Sequence, residues 1–123
     1  MSEKIKIRWL KKPEADDYPA AFSYLTLVYG AKRAGAFVKH LRHSRISHFK
    51  AKDIFRASGL PLLSIRNSHV KTDRIKVKRG CKMVPLLLVR DSMHGKIVIA
   101  DGYHRLCAVY SCDEDAVIPC QIV

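Results

Sequence analysis

In the stretch Ile97-Val98-Ile99-Ala100-Asp101-Gly102-Tyr103-His104-Arg105-Leu106-Cys107-Ala108-Val109-Tyr110 a strand pattern gives way to a helical one. An apolar run that reads as a strand stops at Asp101-Gly102, and a helical pattern begins at once. Leu106, Val109 and Tyr110 fall at i, i+3 and i+4, on one buried face. His104 and Arg105 then lie in the first helical turn, where backbone N–H groups have no acceptor within the helix. The glycine before them lets the backbone approach a ligand closely. A helix N-terminus, an imidazole and a guanidinium together form a candidate anion site.

Upstream of it, Val84-Pro85-Leu86-Leu87-Leu88-Val89 is a near-continuous apolar run and reads as a central buried strand. Pro85 is tolerable near its start. Asp91-Ser92-Met93-His94-Gly95 is a turn and Lys96 to Ala100 the returning strand, which makes a β-hairpin. After the helix, Cys112-Asp113-Glu114-Asp115 is an acidic exit loop, and Ala116 to Val123 reads as the last strand. Upstream lies the basic segment Val70-Lys71-Thr72-Asp73-Arg74-Ile75-Lys76-Val77-Lys78-Arg79, capped by Asn67 or Ser68 and closed by Gly80. Ile75 and Val77 alternate as in a strand, whereas Val70 and Val77 fit a helix; a helix is the reading taken. Phe49 to Phe55 is a strand or the start of a short helix, broken by Ser58-Gly59-Leu60-Pro61. Residues 61–67 read as a loop.

At the beginning of the chain, Lys4-Ile5-Lys6-Ile7-Arg8-Trp9-Leu10 alternates basic and apolar residues, as a short half-buried strand or arm does. Asp16 or Asp17 can cap a helix that holds Pro19 in its first turn. Phe22, Leu25 and Tyr29 form its expected buried stripe, and Gly30 stops it. A second helix follows, with Ala34, Phe37, Val38 and Leu41 inward and Lys32, Arg33, Lys39, His40, Arg42 and His43 on its other face. The pair predicts a helical hairpin.

A chain of 123 residues with 48% hydrophobic content is expected to be a single domain with a real core. No apolar run of about 18 residues occurs, so no membrane span is expected. The start, Met1-Ser2-Glu3-Lys4-Ile5-Lys6, has no apolar signal region, and the expected compartment is the cytoplasm. Cys81, Cys107, Cys112 and Cys120 contain no CxxC and suit no common zinc pattern. Cys107 and Cys120 read as small buried hydrophobes. His40, His43 and His48 have no nearby carboxylate ligand, and no metal site is expected there.

The net charge of +12 is uneven: residues 1–82 hold 20 Lys/Arg against 6 Asp/Glu, and residues 83–123 hold 3 against 5. Such polarity suggests an acidic polymer or polyphosphate as partner, or simply a basic surface. Lys32, Arg33, Lys39 and Arg42 are the best candidates for contacting DNA or RNA, with a solvated lysine-rich helix face as the alternative.

The order of buried strand, turn, strand, Asp101-Gly102-Tyr103-His104-Arg105, helix, acidic turn and a strand with Ile118-Pro119-Cys120 resembles the ParB/sulfiredoxin superfamily. Members of that superfamily place a Gly-x-[His/Arg]-Arg motif at a helix start, here Gly102 to Arg105. The resemblance covers roughly residues 49–123 and is clearest over 84–122. It implies an α+β fold in which a small mixed β-sheet packs with helices. In this chain the core of residues 49–123 would be preceded, over residues 1–48, by the N-terminal strand or arm and the helical hairpin. It also implies a nucleotide phosphate site for ATP, CTP or another nucleotide with Mg²⁺. By position, Gly102 would admit the backbone, with Tyr103 beside it, and His104 and Arg105 would contact phosphate oxygens. Lys71 and, more loosely, Arg56 resemble further phosphate contacts. Two departures matter. Sulfiredoxins need a cysteine where Tyr103 stands, and a neutral phenol does not replace that thiolate at pH 7. The ParB family's Gly-Glu-Arg-Arg, arginine-rich arm and DNA-binding helix-turn-helix are also missing.

The functional expectation is a nucleotide-phosphate-binding domain, extending to a phosphotransferase or NTPase in which Asp101 is general base or Mg²⁺ ligand. The alternative is a non-catalytic nucleic-acid-binding or regulatory module that uses the basic N-terminal face. A third is a protein that docks an acidic partner. The bland reading of the motif is that Asp101 caps the helix, Arg105 pairs with Asp113 or Glu114, and His104 is a surface histidine. The sequence leaves the oligomeric state open.

Overall fold

A computed structural model describes residues 5–123, so part of the expected arm, Lys4, lies outside the described residues. The elements follow in the order β1 (Arg8–Trp9), α1 (Asp17–Tyr29), α2 (Ala31–His43), β2 (Ile46–Lys50), α3 (Ala51–Ser58) and α4 (Ser68–Lys78). Then come β3 (Lys82–Met83), β4 (Leu86–Asp91), β5 (Lys96–Asp101), α5 (Tyr103–Cys112) and β6 (Val117–Ile122), with a short 3₁₀ turn at Ser92–His94. The fold is α+β, with a four-stranded mixed sheet ordered β2-β6-β4-β5 and a two-stranded parallel sheet of β1 and β3.

The leucine-rich run explains the layering. In β4, Leu86 and Leu88 face one side and Leu87 and Val89 the other, and all four are buried. A strand that is apolar on both faces needs cover on both. One face packs with α3, α4 and α5 in a core holding Leu86, Leu88, Ile99, Leu106, Val109, Ile118 and Cys120. The other packs Leu87, Val89, Val98 and Ala100 against α1 and α2. The helical hairpin is therefore a third layer, closing a second apolar cluster on the other face of the sheet. β4 pairs antiparallel with β5 as the expected hairpin and parallel with β6, while β2 pairs antiparallel with β6. Because β2 begins at Ile46, residue 48 lies inside a sheet strand.

The hairpin turns on a single residue, Gly30, at φ 82° and ψ 162°, a conformation closed to side chains. Its first helix keeps two of the three expected inward residues, Leu25 buried and Tyr29 packed against the core, and differs at the third. Tyr18, Ala21 and Leu25 are the buried stripe, while Phe22 is partly exposed. With apolar residues all round α1, spacing did not fix which face turned inward. The expected cap also differs: neither aspartate bonds the helix's own N–H groups, and the Asp17 carboxylate accepts from Glu14 N–H at 2.7 Å instead. Tyr18 fastens the hairpin to the sheet. Its hydroxyl donates to Gln121 Oε1 at 2.7 Å, and Gln121 Nε2 donates to the Ser44 carbonyl at 3.0 Å, satisfying a buried amide.

Between 49 and 58 both readings apply in succession, since β2 runs straight into α3 at Lys50–Ala51. The helix chosen for the basic segment is α4, with Asn67 as its cap. Among the described residues the N-terminal alternation shrinks to the two-residue β1 beside β3, and the central strand sits two residues later than expected, after Pro85.

Candidate functional site

The site grows from the end of β5. Asp101 is its last residue, and Gly102 turns the chain at φ 107°, ψ 18° into α5. Two constraints require glycine there. The backbone is left-handed, and a Cβ would lie 2.7 Å from Arg105 Nη2 and 2.9 Å from Leu86 Cγ. The Leu106 N–H donates to the Gly102 carbonyl at 2.9 Å and opens the helical ladder. No side chain caps the N–H groups ahead of it. The α5 N-terminus is therefore open for an anion.

The neighbouring helix α4 supplies the facing wall. His69, Thr72, Asp73 and Lys76, at i, i+3, i+4 and i+7, line a concavity of about 280 Å³ together with Asp101, Gly102, Tyr103, His104 and Arg105. Buried Val70 and Val77 hold α4 to the core on its other side. The His69 and His104 rings lie 4.8 Å apart between centroids. The α4 N-terminus, by contrast, is closed: Asn67 Oδ1 accepts from His69 N–H at 3.0 Å and from Val70 N–H at 3.2 Å. Of two adjacent helix starts, only that of α5 is free of a side-chain cap.

Asp101 and Arg105 form the floor. Arg105 Nη2 donates to the Pro85 carbonyl at 3.3 Å and lies 3.6 Å from Asp101 Oδ2. Asp101 Oδ2 and Arg105 Nε are both buried without a hydrogen-bond partner. Burial pushes the Asp101 carboxyl up to about 6, against the Arg105 guanidinium, which pulls it down, and with Asp17, whose charge adds to the rise. Neither bland role holds here, because Asp101 makes no cap and Arg105 turns back to Asp101 and Pro85. Tyr103 leans the other way, its hydroxyl donating to the Pro61 carbonyl of the loop before α4.

Of the residues expected at the site, Asp101, Gly102, Tyr103, His104 and Arg105 come together. Lys71 is exposed and falls off the wall-forming stripe of α4, and Arg56 lines a separate depression with Leu60, Leu62 and Tyr110. His69, Thr72, Asp73 and Lys76 were not anticipated, although their helical spacing after Asn67 was a usable signal. Among the described residues, no group of three or more His, Cys, Asp or Glu is placed to hold a metal ion.

On α2, Ala34, Val38 and Leu41 face the core. Helical geometry then turns Lys32 and Lys39 outward and sets Arg33 and Arg42 on opposite shoulders. Each arginine covers an aromatic ring, Arg33 at 4.6 Å from the Tyr29 centroid and Arg42 at 4.5 Å from that of Tyr18. The four cations do not make one stripe. No described helix is long and apolar enough to cross a membrane.

Compared with family models, with curated proteins and with solved structures, the chain matches none.

Proposed function

We propose that the concavity between α4 and α5 binds the phosphate groups of a nucleotide of the ATP or CTP class. The single observation that carries this reading is the uncapped α5 N-terminus opening onto a space lined by His69, Lys76, His104 and Arg105. Backbone N–H donors, a helix dipole and flanking cations are what a polyphosphate requires. The resemblance to the ParB/sulfiredoxin superfamily, with its phosphate site at the equivalent helix start, supports the same choice.

Asp73 and Asp101 bring two carboxylates to that space. Mg²⁺ takes one or two carboxylates together with phosphate oxygens and retained waters, so these two residues would hold it alongside a bound nucleotide. The metal would supply charge neutralisation of the phosphates. Asp101 accepts or holds a proton near neutral pH, which suits a general base if the bound phosphate is transferred or hydrolysed. The proposed compartment is the cytoplasm, in keeping with four free cysteines.

Calorimetric titration with ATP, CTP and ADP, with and without Mg²⁺, tests the proposal. Lys76→Ala should weaken binding by about 1.5–3 kcal/mol, the scale of a charged hydrogen bond. Lys76 is exposed, so the change leaves the fold intact. A folded protein that gives no heat with any of the three refutes the proposal.

The second reading is a nucleic-acid-binding module, favoured by the outward Lys32 and Lys39 on a protein of net charge +12. It requires retardation of DNA or RNA in a low-salt gel, lost on charge reversal at both lysines while nucleotide binding persists.

A further inference from the structure

α1 differs from the other four helices in carrying no lysine or arginine. Its outward side is apolar as well. Leu27 is 87% exposed, Tyr24 45% and Val28 44%, and Ala20 stands one turn before Tyr24. Ala20, Tyr24 and Leu27 fall at i, i+4 and i+7, a second, exposed apolar stripe about 120° round the helix from the buried one, with Ser23 beside it. A helix that is apolar on both sides ordinarily has cover on both. α1 also packs on β5, the end strand of the sheet, whose outer edge pairs with no described strand.

We propose that a second copy of this chain covers the stripe, α1 packing antiparallel on its symmetry mate about a two-fold axis. Charge selects that occupant. Two molecules of net charge +12 repel over most of their surfaces, and α1 offers an exposed apolar face on which they can meet without opposing cations. The ends of the stripe are complementary. Exposed Glu14 and Asp16 precede α1, and exposed Lys32 and Arg33 follow Gly30 at its far end. An antiparallel pair sets each acidic end beside the partner copy's basic end, twice over by symmetry. A nucleic acid is a poor occupant of an uncharged stripe that has carboxylates at one end.

Sedimentation velocity of the full chain at physiological salt, from low to about 100 μM, reads the assembly directly. The wild type should pass from monomer to dimer in this range. Leu27→Asp should weaken the dimer by about 100-fold or more while leaving the circular dichroism unchanged, since the side chain is almost fully exposed. Leu27→Gln is the milder variant if the aspartate disturbs folding. Asp16→Lys and Lys32→Glu should each weaken self-association, and mixing the two should restore a heterodimer. A wild type that stays monomeric throughout overturns the proposal, including the case in which another protein or a lipid surface uses the stripe. So does a dimer that Leu27→Asp and Leu27→Gln leave intact, or a mixture of the charge variants that recovers nothing.

Discussion

Replacing Asp101 by asparagine should change the pH dependence of stability in a way that reports the electrostatics of the site. In the folded protein the Asp101 carboxyl sits at about 6 rather than the ordinary 3.8, chiefly because burial disfavours its charged form. That gap corresponds to about 3 kcal/mol at most, and partial solvent access, with the side chain 23% exposed, lowers it to about 2. The sign follows from proton binding. Between pH 4 and pH 6 the folded state holds the proton and the unfolded chain has lost it, so unfolding free energy falls as pH rises. Below pH 4 both states are protonated, and above about pH 6.5 both are ionised, so the cost is then fully present. Asparagine does not titrate. Relative to wild type, Asp101→Asn should therefore gain about 2 kcal/mol between pH 4 and pH 7, whatever constant offset the substitution adds. Urea unfolding of both proteins at half-unit pH intervals measures the difference, in which the titrations of groups that do not sense Asp101 cancel. A difference that stays flat across this range refutes the assignment of a buried, poorly solvated carboxyl at the foot of α5.

Gly102→Ala forces a side chain into left-handed backbone and against Leu86, and should cost about 2–4 kcal/mol in unfolding free energy by urea titration. Asn67→Ala removes the α4 cap and should cost about 1 kcal/mol by the same assay, with a parallel loss of nucleotide affinity as the facing wall loosens. In the absence of Mg²⁺, nucleotide affinity measured by calorimetry should rise as pH falls from 8 to 6, because a neutral Asp101 no longer repels the phosphate. Under native conditions Cys81 should react first with a thiol reagent. Cys107 and Cys120 should stay protected, since burial raises both thiols, that of Cys120 to about 12.

The strand-to-helix corner at Asp101-Gly102 was legible because two periods meet there, and the apolar run of β4 announced a strand covered on both faces. The hairpin around Gly30 was legible for the same reason, as two stripes separated by one glycine. What the chain alone does not carry is relational. Of the α1 stripe Phe22, Leu25 and Tyr29, Phe22 alone turns outward, because a helix apolar all round has no single inward face. The wall formed by His69, Thr72, Asp73 and Lys76 has clear helical spacing, but nothing along the chain says that α4 lies beside α5. The grouping of Lys32, Arg33, Lys39 and Arg42 overlooked the turn of the helix, which parts the two arginines and lets each settle on an aromatic ring. The floor contact of Arg105 with Pro85 joins residues 20 apart and was equally invisible.

Amide chemical-shift mapping of the ¹⁵N-labelled protein during titration with ATP and Mg²⁺ tests the phosphate site most directly. The largest shifts should fall on the Tyr103, His104 and Arg105 amides, with smaller ones along His69, Thr72 and Lys76 and little change on α2. Shifts confined to Lys32–Arg42, or none at all in the folded protein, would contradict a phosphate cradle at the start of α5.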